Sequence, residues 1–216
     1  GVYALYKNTS GCCNVALGGC ALYNTTSCFN VAVGHNAAQG NTTGIKNTAL
    51  GYLSLLNNTN GHYNTAIGSC ALCCNTSSND NTAIGVGAAQ LNKGCGITAI
   101  GKGALCYNTT CDLITAVGAS ALLKSVGKYN TALGAHVARC TTTGYCLVGI
   151  GNSALHCNTD GYRNVAVGNE AMYANVGGAQ NTALGWNALK SNTSGNDNTA
   201  IGGNALAENV GGLRNT

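Results

Sequence analysis

Thirteen cysteines in a chain of 216 residues, set against only six Asp and Glu and four His, make thiol chemistry the first question this sequence raises. Cys95 and Cys111 lie 16 residues apart and Cys140 and Cys157 lie 17 apart, while Cys28 follows Cys12 by 16 and Cys13 by 15. A repeat of 16–17 residues runs through the chain, so Cys95 and Cys111, like Cys140 and Cys157, fall one coil apart in one column, and Cys12 or Cys13 could meet Cys28 on the next coil. Coils stacked about 4.8 Å apart bring Cα atoms inside the disulfide window of ~4.4–6.8 Å. Cys95 with Cys111, Cys140 with Cys157, and Cys12 or Cys13 with Cys28 are therefore candidate inter-coil staples. Cysteine usage of this kind points to an oxidising, extracellular setting. The competing reading is cysteine as a small buried apolar residue. An odd number leaves at least one thiol free or paired between chains.

Other constellations fail on spacing. Cys70-x-x-Cys73 has the interval of a redox or zinc pair, but no second pair and no suitably placed histidine accompanies it. His35, His62, His136 and His156 fall in different columns of the repeat. Asp80, Asp112, Asp160, Glu170, Asp197 and Glu208 are scattered, with no paired carboxylates for acid–base work. Gly85-x-Gly87 and Gly101-x-Gly103 imitate the start of a dinucleotide loop, yet both arise from the repeat's own glycine and lack the third glycine and the helix. No catalytic constellation, metal site or cofactor is expected, and the chain does not read as an enzyme. Seven Asn-x-Ser/Thr sequons, at Asn8, Asn24, Asn41, Asn57, Asn75, Asn108 and Asn192, are candidate glycosylation sites in one turn of the repeat. Asn92, Asn158, Asn175 and Asn209 hold the same turn without a sequon, so a turn-forming Asn ladder explains the column as well.

The elements that position these residues follow from the repeat. A glycine closes each copy of Asn-Thr-Ala-Ile-Gly or its variants at 18, 34, 51, 68, 85, 101, 118, 134, 151, 168, 185 and 202. A fixed period of this size is the signature of a solenoid whose units bury their faces only against neighbours. The expectation is an all-β, parallel β-solenoid of about thirteen coils over residues 1–216, a single array and a slice of a longer fibrous protein. Proline is absent, and charged residues are 7% of the chain, in keeping with stacked strands that donate every backbone hydrogen bond. The ten Lys and Arg form no run, which gives nucleic acid or an anionic membrane surface little to bind. No apolar stretch approaches the ~18 residues of a spanning helix, so no membrane insertion is expected in this segment.

Written from its glycine, the unit reads G-x-x-A-L-x-x-N-T-x-G-x-x-N-T-A-I. Thr or Val precedes the small central residue and Ile, Leu or Val follows it in all twelve complete copies, which argues for a short strand. A second short strand is expected around Ala-Leu pairs such as Ala71-Leu72 and Ala104-Leu105, with Asn, Thr and Gly supplying turns between. The three short coils, at Gly18, Gly85 and Gly118, lose their residue in a turn. A turn absorbs the deletion, whereas a one-residue slip in a strand would flip every side chain. A second Asn column precedes the strand. It fails at Ile97, Ile114 and Leu147, each within three residues after Cys95, Cys111 or Cys146.

Strand alternation sends the central Ala and the following aliphatic residue to opposite faces. Two alanine columns suit a thin, closed roll with Ala inside, which leaves Ile67, Ile84, Ile100, Val117, Leu133 and Ile150 in an outward stripe. Such a stripe exceeds the ~300–600 Å² largest patch of an ordinary soluble monomer, so a partner chain is its expected cover. The alternative keeps Ile and Leu inside a monomeric solenoid with Ala outside.

Asn64-Thr65-Ala66-Ile67-Gly68 and Asn164-Val165-Ala166-Val167-Gly168 resemble the head repeats of trimeric autotransporter adhesins and related repeats of phage and viral tail fibres. The resemblance covers the whole chain. It implies a left-handed parallel β-roll with three chains side by side, the aliphatic positions meeting at the trimer interface. The chain departs from that family in its longer coils, its regular Asn-Thr turn and its cysteine content. The functional expectation is a structural or adhesive element of an extracellular appendage, virion fibre or filament, partnered by itself as a homotrimer or a lateral or end-to-end filament. One alternative is glycan recognition by Tyr107, Tyr129, Tyr145, Tyr162 and Trp186. Another is ice binding through the threonines at 48, 65, 82, 98, 115, 131, 182 and 199. A hexapeptide left-handed β-helix fits less well, lacking an aliphatic residue at every sixth position, and leucine-rich repeats lack their multiple leucines.

Overall fold

The computed structural model describes every residue except Cys111. It is an all-β parallel solenoid, with no helix among the described residues. Two compact units divide the chain. Gly1–Asp112 holds β1 (Val15–Leu17), β2 (Val31–Val33), β3 (Thr48–Leu50), β4 (Thr65–Ile67), β5 (Thr82–Ile84) and β6 (Thr98–Ile100). Leu113–Thr216 holds β7 (Thr115–Val117), β8 (Thr131–Leu133), β9 (Val148–Ile150), β10 (Val165–Val167), β11 (Thr182–Leu184) and β12 (Thr199–Ile201). In each unit the strands pair in chain order, in parallel, with like residues opposite: Ala66 meets Ala83, and Ile67 meets Ile84.

Each strand is only three residues long, because β-branched residues hold it extended and the anchor glycine then ends it. Those glycines have φ between 122° and 140°, a region that L side chains rarely adopt. A Cβ there would also strike the next coil: at Gly68 it would lie 2.6 Å from the carbonyl oxygen of Gly85. Close stacking and the backbone angle both demand glycine. Alternation holds along each strand. Ala32, Ala49, Ala66, Ala83 and Ala99 are fully buried in the first unit, as are Ala116, Ala166 and Ala183 in the second, while the residues on either side face outward. The exception proves size-matched: Val137 replaces the facing alanine, and its Cγ1 fills the space a Cβ at Gly149 would enter.

Among the described residues the expected second strand is absent. The Ala-Leu segment forms a run of turns, and each coil contributes one strand. In this segment two residues out of three successive places are left-handed, as at Cys20 (φ 57°) and Leu22 (φ 49°) or Cys70 (φ 57°) and Leu72 (φ 49°). The bend turns neighbouring side chains the same way, so both members of a pair such as Ala71-Leu72, Ala104-Leu105 or Ala188-Leu189 are fully buried. A left-handed non-glycine residue costs roughly 1–2 kcal/mol, and burying a leucine contributes about 1.5–3 kcal/mol, so burial wins at the leucine. The turns are also tied across coils: Leu55 N donates to Ala71 O at 2.9 Å and Leu155 N to Ala171 O at 3.0 Å.

The Asn columns do not supply left-handed backbone either. That conformation falls on the residue before the second Asn, as at Phe29, Lys46, Tyr63 and Arg163. The asparagines instead bond inside the coil. In the first column Asn58 Nδ2 donates to Asn41 Oδ1 (2.8 Å) and to Gly61 O (2.9 Å). In the second, Asn64 Oδ1 accepts the Asn81 N–H (3.2 Å), and Asn64 Nδ2 donates to Ser78 O (2.9 Å). These two ladders close the corners between strand and turns, and satisfy backbone groups that the three-residue strand leaves unpaired.

Candidate interaction face

With alanine inside, each strand presents Thr or Val and then Ile, Leu or Val to the outside. Neither column carries a charge in any strand. In the first unit Leu17 and Leu50 are exposed and Val33, Ile67, Ile84 and Ile100 half-buried, with like residues in register on neighbouring strands, as Ile67 is with Ile84. In the second unit Leu133 (48%), Leu184 (46%) and Ile201 (69%) are exposed while Val117, Ile150 and Val167 are half-buried. The alternative with the aliphatic column inside does not occur. Leucines do line the core, but they come from the turn segment and, at Leu147, from the second Asn column. The aliphatic column is thus an apolar ridge on each unit beside a row of hydroxyls and methyls.

The cysteines are spread over several columns. Cys12 Sγ stands 2.9 Å from Cys28 Sγ, so of Cys12 and Cys13 it is Cys12 that meets the next coil. Cys140 and Cys157 occupy equivalent places on successive coils, and the Cys157 thiol is pushed up by burial and then by the neighbouring Cys140. The Cys95–Cys111 pairing involves Cys111, outside the described residues. In the structure Cys95 shares its column with Asn79 and Asp112: Asn79 N donates to Cys95 Sγ (3.3 Å) and Cys95 N to Asp112 Oδ1 (2.7 Å). Cys73 Sγ lies 3.6 Å from Cys74 Sγ and is pushed up to about 12, chiefly by burial. Cys70 and Cys73 belong to no metal-holding arrangement, since no group of three or more His, Cys, Asp or Glu is placed to hold an ion among the described residues. Nor is any helix among them long and apolar enough to cross a membrane.

The sequons separate into two classes. Asn41, Asn75, Asn108 and Asn192 are ladder residues with no exposed surface, and their amides donate inward. A glycan on any of these four would be incompatible with this fold, because the acceptor nitrogen points into the coil. Asn8, half-buried, bonds Gly11 in both directions. Asn24 and Asn57 sit one residue ahead of the ladder, half-buried and exposed respectively. The sequence pattern groups all seven because a one-residue offset leaves the sequon intact while moving the side chain from inside to outside.

The aromatic residues form short local stacks. Tyr145 and Tyr162 are parallel, with centroids 5.1 Å apart and planes 2° apart, and Arg163 lies over the Tyr162 ring at 5.9 Å. Tyr107, Tyr129 and Trp186 are exposed at other places on their coils. His156 stacks on Tyr173 at 5.0 Å. Sequence reasoning missed one column altogether, in which a side chain accepts the N–H of the preceding coil. His62 Nδ1 accepts from Ile45 N (3.1 Å), Asn79 Oδ1 from His62 N (2.7 Å) and Asn196 Oδ1 from Ala179 N (2.7 Å). The signal is the acceptor chemistry shared by residues that otherwise look unrelated.

Comparison with protein-family models, curated proteins and solved structures finds no match.

Proposed function

We propose that this chain is a structural and adhesive fibre element of an extracellular appendage, virion surface or filament, in which the aliphatic ridge packs on copies of itself. The observation that carries the reading is the outward column itself: Ile67, Ile84 and Ile100 on one unit, and Val117, Leu133 and Ile150 on the other, all on uncharged strands. Burying such a side chain is worth about 1.5–3 kcal/mol, and a repeated column multiplies that term. Three chains meeting along the ridge, as the adhesin-head resemblance implies, would cover it from every side. Its function would reside in repetition, every coil templating the next.

Of the aromatics of the glycan reading Tyr145 and Tyr162 share a column while Tyr107, Tyr129 and Trp186 stand elsewhere on their coils, and the threonines of the ice reading form one column beside an aliphatic one, so neither reading gains a stripe that runs along the array. The test is the native mass by light scattering together with the double variant Ile84→Asp, Ile100→Asp. The unmodified protein is expected at a multiple of the 21.6 kDa chain, three being the expected number. Charges at a dry interface cost several kcal/mol each, so the double variant should dissociate or unfold. A folded monomer with the same thermal stability before and after substitution would end the fibre reading.

A further inference from the structure

The corner where Cys12 and Cys28 meet has more organisation than two neighbouring thiols require. Cys28 occupies the acceptor column in which His62, Asn79 and Asn196 take the N–H of the preceding coil. Its sulfur receives two donors from one residue: the Cys12 N–H at 3.1 Å and the Cys12 thiol at 2.9 Å. Both donors stabilise negative charge on Cys28, and both residues reach solvent, Cys12 being exposed and Cys28 half-exposed. A thiolate that is solvated, hydrogen-bonded and in contact with a second thiol is the arrangement that disulfide exchange uses.

We propose that Cys28 and Cys12 form a thiol–disulfide exchange site for small-molecule disulfides, with Cys28 as the attacking thiolate and Cys12 as the resolving thiol. The Cys28 thiolate attacks one sulfur of the external disulfide. That S–S bond breaks, and the first small thiolate leaves with the bonding pair and takes a proton from water. Cys12 then gives its proton to water and attacks Cys28 Sγ, and the second small thiolate leaves. Two protein thiols are oxidised and one external disulfide is reduced to two thiols.

The titration of the pair supports the order of events. The hydrogen bond from the Cys12 thiol, and then that from the Cys12 N–H, lower Cys28 below the ordinary thiol value of 9.0. The same contact raises Cys12 to about 11, with its hydrogen bond to Cys28 the largest cause. Once Cys28 is held in a mixed disulfide its charge is gone, and with it the main reason for Cys12 to keep its proton. The product is a covalent tie between two successive coils. Cys13, exposed and left-handed (φ 56°), also hydrogen-bonds the Cys12 side chain, a smaller influence on Cys12 than that of Cys28.

The experiment uses the full chain, reduced, freed of reductant and exposed to oxidised glutathione, then quenched with acid and digested with chymotrypsin, which cuts after Tyr23 and separates the two cysteines. The expected product is one peptide pair joined through Cys12 and Cys28, with Cys12→Ser halting at glutathione on Cys28 and Cys13→Ser leaving the Cys12–Cys28 product in place. Before oxidation, brief iodoacetamide treatment should label Cys28 at least about tenfold faster than Cys12, because the Cys28 sulfur accepts both hydrogen bonds and so carries the thiolate. A Cys12–Cys13 link, glutathione settling on Cys12 first, or equal labelling of the two thiols would overturn the proposal. Circular dichroism of each serine variant confirms that the coil is intact when the chemistry is read.

Discussion

The strand side and the turn side of each coil bury alanine by different means, and the difference separates what a sequence encodes by period from what it encodes by shape. On the strand side the backbone is extended, so Ala66 goes in and Thr65 and Ile67 go out. On the turn side Ala71 and Leu72 both go in, because Cys70 and Leu72 are left-handed. The strand side therefore has an outer surface fixed by alternation, uncharged and available to another chain. The turn side spends its largest side chain on its own core and leaves the outside to whatever lies between. The Tyr, His, Lys, Arg and Cys residues collect there and at the corners, not on the strands.

The anchor glycine joins the two sides, and replacing it should have the largest effect. Gly68→Ala combines a forbidden φ of 123° with a Cβ 2.6 Å from Gly85 O. Gly202→Ala has the same kind of φ, 122°, with nothing within 4 Å of the new Cβ. Backbone strain of this type is worth about 1–3 kcal/mol, and overpacking adds a similar amount, about 1–3 kcal/mol. Urea unfolding should show Gly68→Ala less stable than Gly202→Ala by roughly 2 kcal/mol. Equal losses would mean that close stacking of the coils contributes nothing to the requirement for glycine.

Much of this was legible in the sequence, and unevenly. The parallel solenoid, the strand, its inward alanine and its outward aliphatic column all follow from a period of 16–17 and from alternation, which are properties of residue order. The turn side was misread as a strand because Ala-Leu has no alternation to show. Left-handed leucine is rare enough that residue type argues against it, and only the tertiary gain of burying Leu72 or Leu155 makes it favourable. The ladders were legible as columns but not as interiors. Asn suggests a turn former, whereas Asn58 and Asn64 act through their side chains, which is why four sequons turn out to be buried. Spacing left Cys12 or Cys13 as the neighbour of Cys28, and the fold decides for Cys12; the acceptor role of Cys28 was not legible, since it depends on an N–H that only the fold brings to it.

The short coils sharpen the comparison at the corner between the two sides. In the full-length coils one turn carbonyl takes both ladder amides, as Gly61 O does from Asn47 Nδ2 and Asn58 Nδ2, and each short coil, one residue tighter, departs from this sharing. In the coil from Gly18 to Gly34 the ladder place is taken by Thr25, and Asn14 Nδ2 reaches Ser27 O at 2.7 Å. In the coil from Gly85 to Gly101 the asparagine is kept. Asn92 Nδ2 takes Gly94 O at 2.7 Å, and Asn81 Nδ2 and Asn75 Oδ1 are buried without partners. In the coil from Gly118 to Gly134 the competition is removed from the other side, by Ile114 and Ser125, and Gly127 O serves Asn130 Nδ2 at 3.0 Å. Asn92→Thr should therefore stabilise the protein by about 1 kcal/mol, the scale of restoring a hydrogen bond to a buried donor. Asn108 would turn from Asn92 Oδ1 to the new hydroxyl, as Asn41 does with Thr25 Oγ1 at 3.1 Å. A thermal midpoint that falls would show that the bonds Asn92 Oδ1 accepts from Gly94 N and Asn108 Nδ2 outweigh the unpartnered Asn81 Nδ2 and Asn75 Oδ1.

The smallest effect comes from titration, and it reports the turn side alone because the strands carry no titratable group. His156 lies stacked on Tyr173, and burial, then the charges of Arg139 and His136, hold it below its ordinary 6.5. In the unfolded chain the ring takes a proton near that ordinary value, while in the fold it does so only at lower pH. Across the interval the unfolded state binds more protons, so stability rises with pH. The contribution is complete above about pH 6.5 and disappears as pH falls through the folded value. Because the ring is only half-buried, solvent screening keeps the effect well below that of the glycine or asparagine changes. Urea midpoints between about pH 8 and about pH 5 should fall more for the unmodified protein than for His156→Gln. Arg139→Gln, which removes one of the opposing charges, should lie between them. Identical pH dependence in all three would mean that the His156–Tyr173 stack leaves the ring as free to protonate as it is in the unfolded chain.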